Sequence, residues 1–162
     1  RACEIVATVC DAVGAIHAAG IANGGVSADH IIETPDRLVL LASVCADRGP
    51  LMAPPCSPVA DVTALGRLLY FLLTGDNSEI NLSTTLVSEL RQVRPDVSSP
   101  LVAVLINALS IDSQRRYPSA VELGRAIRAA ASDRLGPIEW TIGVIATALV
   151  ALMLLWYAFA TI

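Results

Sequence analysis

The sequence predicts a mostly α-helical body with one short β-hairpin, followed by a single transmembrane helix. Helical apolar periods and helix-start signals mark five segments between residues 2 and 133. One pair of short apolar runs flanks a Pro-Asp turn. Beyond a Gly-Pro break, residues 140–162 run for 23 residues without a charge. Mean hydropathy is +0.62 and only 16% of residues are charged, with the apolar excess at the C-terminal end.

Residues 2–19 read as a helix, because Val6, Val9, Cys10, Val13 and Ile16 recur on one face and Gly20 ends the run. "HIIET" and "RLVLLA" are joined by Thr34-Pro35-Asp36, which presets a turn and makes a β-hairpin. Residues 46–58 hold four prolines and no periodicity, so they form a loop. Ser57-Pro58 supplies an N-cap and an N1 proline for a helix over 59–74, closed by Gly75. Its core, "LGRLLYFLL", is apolar nearly all round and belongs at the centre of the fold.

Residues 76–81 are a polar loop. Ser83 caps a short amphipathic helix with Leu86, Val87 and Leu90 inward. A cap is the ordinary use of serine and threonine there, so Ser83, Thr84 and Thr85 are read as caps rather than phosphoacceptors. Ser99-Pro100 repeats the cap-plus-proline signal before a helix over 101–110. Ser119-Ala120-Val121-Glu122 matches a capping box and opens a helix to about Asp133.

At ~1.5 Å per residue, the uncharged run spans about 34 Å, enough for a bilayer core of ~30 Å. Trp140 lies at one end and Trp156-Tyr157 near the other, as interfacial anchors do. Arg125, Arg128 and Arg134 precede the run and no cation follows it, so residues 1–138 are expected on the cytoplasmic side of a cell membrane. The organisation is then a body over 1–135, a juxtamembrane break at 136–139 and a membrane helix over 140–162. Arg1 lies inside a helical pattern and Ile162 at the edge of the apolar run, so the chain reads as part of a longer protein.

A formal net charge of −4 argues against nucleic acid as a partner. All eleven cationic side chains are arginine, none lysine. Cys3, Cys10, Cys45 and Cys56 have no C-x-x-C spacing and read as small buried apolar residues, not as a zinc site or a disulfide framework. His17 and His30 read as structural rather than as metal ligands.

Several segments resemble the C-terminal lobe of bacterial Ser/Thr protein kinases. "IHAAGIA", with His17 in place, is similar to the lead-in of the kinase catalytic loop, and "IHAAGIANGGVSADHII" follows that loop's frame. "DVTALGRLLYFLLTG" resembles the family's central helix, with Asp61 and Gly66 matching. Arg116-Tyr117-Pro118-Ser119-Ala120 resembles the closing arginine signature. The resemblance covers residues 2 to about 131. It implies a kinase-like C-lobe whose N-terminal lobe, with its glycine-rich loop, strand lysine and helix glutamate, would lie upstream of Arg1.

The resemblance also implies a degenerate site. The family's base aspartate falls on Gly25, the lysine two further on falls on Ser27, and the magnesium-holding asparagine falls on His30. The metal-binding Asp-Phe-Gly falls on Ser43-Val44-Cys45. Asp29 and Asp47 each lie four residues late. Phosphoryl transfer needs Mg²⁺ on carboxylate and amide oxygens and a carboxylate that orients the nucleophile. Loss of base positioning alone costs about 10²–10⁴ in rate. No catalytic residue, metal or cofactor is therefore expected.

His17, Asp61, Gly66 and Arg116 are expected to be structural. In the family, Asp61's counterpart buries its carboxylate under the catalytic loop and accepts backbone hydrogen bonds. Arg116's counterpart pairs with a glutamate in Ala-Pro-Glu; here the match is Ala53-Pro54-Pro55, so Arg116 must be exposed or use another acceptor.

The resemblance thus implies a pseudokinase, tethered to the bilayer by residues 140–162, that binds a phosphopeptide-binding adaptor or a true Ser/Thr kinase. The order of parts is similar to that of actinobacterial MurJ/MviN-type lipid II flippase homologues, which implies regulation of cell-wall precursor export. Membrane receptor Ser/Thr kinases share the same order, so an active phosphotransferase stays open as the alternative.

Overall fold

The computed structural model describes residues 1–41, 57–76 and 85–132. The chain divides into two compact units, Arg1–Ala131 and Ser132–Ile162. Among the described residues no helix is long and apolar enough to cross a membrane. The run 140–162, where the sequence predicts a span, lies outside them, as do most of the expected loop 46–58, Ser83 and Thr84.

Helix α1 spans Ala2–Ala18 and buries Val6, Val9, Cys10 and Val13, the face its period predicts. A three-residue 3₁₀ turn, Ala28–His30, leads into strand β1, Ile31–Glu33. Strand β2, Leu38–Leu40, pairs with it antiparallel, Ile32 opposite Val39. The intervening turn closes on Thr34. Its N–H donates to the Arg37 carbonyl at 2.9 Å, and its hydroxyl accepts from the Arg37 N–H at 3.1 Å. Such a Thr-Pro-Asp turn fixes the register of a hairpin this short.

Helix α2, Pro58–Thr74, begins where Ser57 accepts from the Ala60 N–H at 3.2 Å and ends at Gly75 in the left-handed region, φ 77°. It carries more buried residues than any other described helix and packs against both α1 and helix α4, Ser99–Ala108. Helix α3, Thr85–Val93, buries Leu86 and Leu90 and half-buries Val87. Helix α5, Ala120–Ser132, closes the set.

Two local expectations are corrected. The cap of α4 is Ser98, not Ser99, and it accepts from the Leu101 N–H at 3.4 Å. Pro100 is then the second helical residue, a position whose N–H is also free of intrahelical bonding. The capping box at α5 is half made. Ser119 Oγ accepts from the Glu122 N–H at 3.2 Å, while the Glu122 carboxylate turns to Arg125 at 2.6 Å.

Glycines set the helix spacing. A Cβ on Gly66 of α2 would stand 3.0 Å from the Ala108 Cβ and 3.1 Å from Leu109 Cδ2. A Cβ on Gly124 of α5 would stand 2.8 Å from the Cys10 Cβ of α1. Small residues at both contacts let the backbones approach, and the apolar stripes then close over Leu65, Leu69, Leu105, Leu123 and Ile127, all fully buried.

Candidate functional site

Helix α1 ends by turning through Gly20, φ 78°, whose N–H donates to the His17 carbonyl at 2.9 Å. The chain then runs back past the first turn of α2. That turn presents Asp61, only 1% exposed. The N-terminal end of a helix, with its free N–H groups and positive dipole end, suits a carboxylate.

Asp61 gathers three donors or partners. Its Oδ2 accepts from the Asn23 N–H at 2.8 Å and lies 2.7 Å from His17 Nε2. Its Oδ1 accepts from the Gly24 N–H at 3.0 Å. The carboxylate therefore holds the loop by its backbone and asks nothing of the loop's side chains. Charge-assisted bonds of this kind are roughly twice as strong as neutral ones. The reach from α1 to α2 explains why the two helices and the loop form one body.

Asn23 follows the carboxylate into the interior at 1% exposure. Its Nδ2 donates to the Gly25 carbonyl at 3.2 Å, and its Oδ1 is buried with no donor among the described residues. Gly24 has φ 79° and Gly25 has φ 140°. A Cβ at Gly25 would meet nothing within 4 Å, so the backbone angle, not space, demands glycine. Gly25 offers no acid, base or ligand.

Ser27 Oγ lies 3.1 Å from His30 Nδ1 across the 3₁₀ turn. The His30 carbonyl accepts from the Leu41 N–H at 2.7 Å, fastening the loop to the end of the hairpin. Asp29 is exposed and bonds to neither. Ser43, Val44, Cys45, Asp47 and the Ala53-Pro54-Pro55 stretch lie outside the described residues. Among the described residues no cluster of three or more His, Cys, Asp or Glu is placed to hold a metal ion. Cys3 and Cys10 are buried free thiols, and burial pushes the Cys10 thiol up to about 12.

Arg116 is half-buried and reaches the outer side of α2. Its Nη1 donates to Thr63 Oγ1 at 3.1 Å, and its Nε is buried without an acceptor among the described residues. The expected alternative acceptor is thus a hydroxyl. The structure brings His17, Asp61 and the Asn23–Gly24 backbone together, sets Ser27 and His30 side by side, and puts Gly66 against α4 and Arg116 on Thr63.

Sequence reasoning missed three of these contacts. Asn23 is buried though polar, and its position before two glycines was the only signal. The Ser27–His30 contact follows from a three-residue spacing across a tight turn. Thr63 and Arg116 are 53 positions apart and no local pattern joins them.

The described fold is protein-kinase-like. The chain is similar to the kinase domain of Mycobacterium tuberculosis PknI, at 25% identity and a TM-score of 0.64 in a single-substitution form. The unsubstituted PknI kinase domain gives 25% identity and a TM-score of 0.63. A doubly substituted form gives 23% and 0.61. In the first two, the match covers 80% of this chain and 54% of the PknI domain, so the chain spans about half the length of the structures it matches. No protein-family model matches the sequence, and no curated protein matches it.

Proposed function

We propose that this chain carries the helical lobe of a kinase-like domain that works without phosphoryl transfer, as a binding or regulatory scaffold held at a membrane. One observation carries the reading. Asp61 pins the Asn23–Gly24 backbone in a formed loop, and the next residue, Gly25, has no side chain with which to orient a nucleophile. A formed loop without a base suits a surface that is bound rather than one that reacts. The partners this reading names are a phosphopeptide-binding adaptor or a Ser/Thr kinase. The apolar run 140–162 is the proposed anchor, with residues 1–138 on the cytoplasmic face.

The likeness to the PknI kinase domain favours a second reading, an active phosphotransferase of the receptor-kinase type. The two part in one assay. The full natural protein is incubated with radiolabelled ATP and Mg²⁺. Under the scaffold reading no label is transferred. Mg²⁺-dependent transfer that is abolished by Ser27→Ala or His30→Ala establishes the second reading instead.

A place in cell-wall precursor export, suggested by the order of parts, is tested by depleting the protein. Accumulation of lipid-linked peptidoglycan precursor on the inner face supports it, and an unchanged precursor pool removes it. Membrane fractionation with and without residues 140–162 tests the anchor.

A further inference from the structure

Two serines stand side by side at the start of α4, and the fold uses them differently. The Ser98 hydroxyl is engaged both ways. Its Oγ accepts from the Leu101 N–H at 3.4 Å and donates to the Ala130 carbonyl of α5 at 3.3 Å. Ser99 does not cap. It is exposed, and its Oγ accepts from Arg91 Nη2 at 2.9 Å. Arg91 Nη1 donates to the Val97 carbonyl at 2.9 Å, which holds the guanidinium against the connection between α3 and α4. A held cation thus spends a hydrogen bond on a neutral, exposed hydroxyl.

A phosphate on that same oxygen is a far stronger partner. It adds about −1.5 to −2 charge and three acceptor oxygens, and charge-assisted bonds are roughly twice as strong as neutral ones. Arg91 is already in place, and its planar fork suits a phosphate. Arg94, the next cation on this connection, is closed on Asp96 through Nε and Nη2, both at 2.8 Å, and contributes less. The first turn of a helix also tolerates added negative charge. Access is open, since Pro95, Asp96, Ser99 and Pro100 are exposed and a helix end opens at little cost in free energy.

We propose that Ser99 is a phosphoacceptor whose phosphate is clamped within the chain by Arg91, tying the last turn of α3 to the first turn of α4. This deepens the scaffold reading, which names a Ser/Thr kinase as partner, and rests on it. In the step, Ser99 Oγ bonds to the γ-phosphorus of ATP held by that kinase. The bond from this phosphorus to its bridging oxygen breaks, ADP leaves, and the hydroxyl proton passes to the kinase's general base. Phosphate on Ser98 instead would break the α4 cap and the contact with α5.

The clamp is tested by installing phosphoserine at position 99 of the full chain, through stop-codon suppression, in neutral detergent. Thermal unfolding followed by circular dichroism rises by roughly 3–6 °C over the unmodified chain. With Arg91→Gln in both chains, the rise falls below half. Phosphorus NMR reads the clamp independently of stability. The guanidinium favours the dianion, so the second phosphate pKa falls from about 6 to about 5. An ordinary phosphate titration, an unchanged or lowered melting temperature, or a rise that survives Arg91→Gln overturns the clamp. If the Arg91→Gln chain does not fold, the phosphorus titration of the parent decides.

The acceptor is tested on the full protein isolated from its own cells with phosphatase inhibitors. Fragmentation mass spectrometry places phosphate on Ser99, and the Ser99→Ala protein carries none on this stretch. Phosphate on Ser98 alone, or on neither serine, overturns the assignment. Label transfer from ATP by the purified protein alone sinks the scaffold reading and leaves the clamp to its own readouts. An absent clamp without such transfer sinks only the present inference.

Discussion

Replacing Asp61 by alanine removes the one carboxylate that joins α1, α2 and the loop. The buried Asn23 N–H then loses its acceptor, as do the Gly24 N–H and His17 Nε2. A buried donor left unpaired costs about 1–3 kcal/mol. The full penalty applies at Asn23, which is 1% exposed, and a part of it at Gly24, which water reaches. With His17 added, the expected loss is about 3–4 kcal/mol, or a fall in Tm of roughly 10 °C for a chain of this size. Asp61→Asn is the control. Its amide oxygen in the Oδ2 place keeps the Asn23 and His17 bonds, and its NH₂ faces the Gly24 N–H, so about 1–2 kcal/mol is lost. Urea unfolding followed by circular dichroism gives both values, and hydrogen exchange of the loop peptide locates them. Exchange at Asn23 and Gly24 accelerates in Asp61→Ala well below the unfolding transition. An Asp61→Ala chain within about 1 kcal/mol of the parent, with unchanged exchange at the loop, refutes the claim that this carboxylate holds the loop.

Gly25→Asp restores a carboxylate in name only. At φ 140° a side chain strains the backbone by about 1–3 kcal/mol, so the variant melts lower and still transfers no phosphate; phosphoryl transfer by Gly25→Asp in the full protein counts against the geometry. The Cys10 thiol, pushed up to about 12 by burial, resists iodoacetamide at pH 8 in the folded chain and reacts once the chain is unfolded, as peptide mapping reads. The same shift makes stability depend on pH. An unfolded cysteine ionises near about 8.5, so the contribution is complete below that and is lost as pH rises toward about 12, by up to about 1.4 kcal/mol per pH unit; a flat profile from pH 8.5 to 10.5 contradicts it. Gly124→Ala places a methyl 2.8 Å from the Cys10 Cβ, pushes α5 off α1 and costs about 1–3 kcal/mol in urea unfolding, despite alanine's better helix propensity.

Local chemistry made most of the described elements legible. Ser57-Pro58 and Gly75 bracket α2 because a cap hydroxyl, a proline without an N–H and a left-handed glycine each solve one end of a helix. Thr34 and Arg37 close the hairpin for a similar reason. Ambiguity entered where two neighbours offer the same chemistry. Ser98 and Ser99 both precede Pro100, and only the fold decides that Ser98 caps. The 3₁₀ turns Ala28–His30 and Ser113–Arg115 are too short for any period to register. The pinned loop was legible through the resemblance alone, in which the counterpart of Asp61 accepts the loop's backbone N–H groups. Arg116 with Thr63, and Arg128 with Asp11 across 117 positions, were not, because side chains that meet through tertiary packing leave no mark on spacing.

The loop separates shape from chemistry, and it does so in one direction. Asp61 binds N–H groups that every residue but proline supplies, so the pinning bonds call on no particular side chain in the loop. Glycine at 25 therefore leaves the frame standing. The reverse does not hold. Once the backbone at Gly25 has settled at φ 140°, a side chain there must move the backbone before it can act, and Asn23, fully buried and tied to the Gly25 carbonyl, resists that movement. Return of a base would require the Gly25 backbone angle, the Asn23 contact and the side chain to change together. A single substitution cannot supply all three.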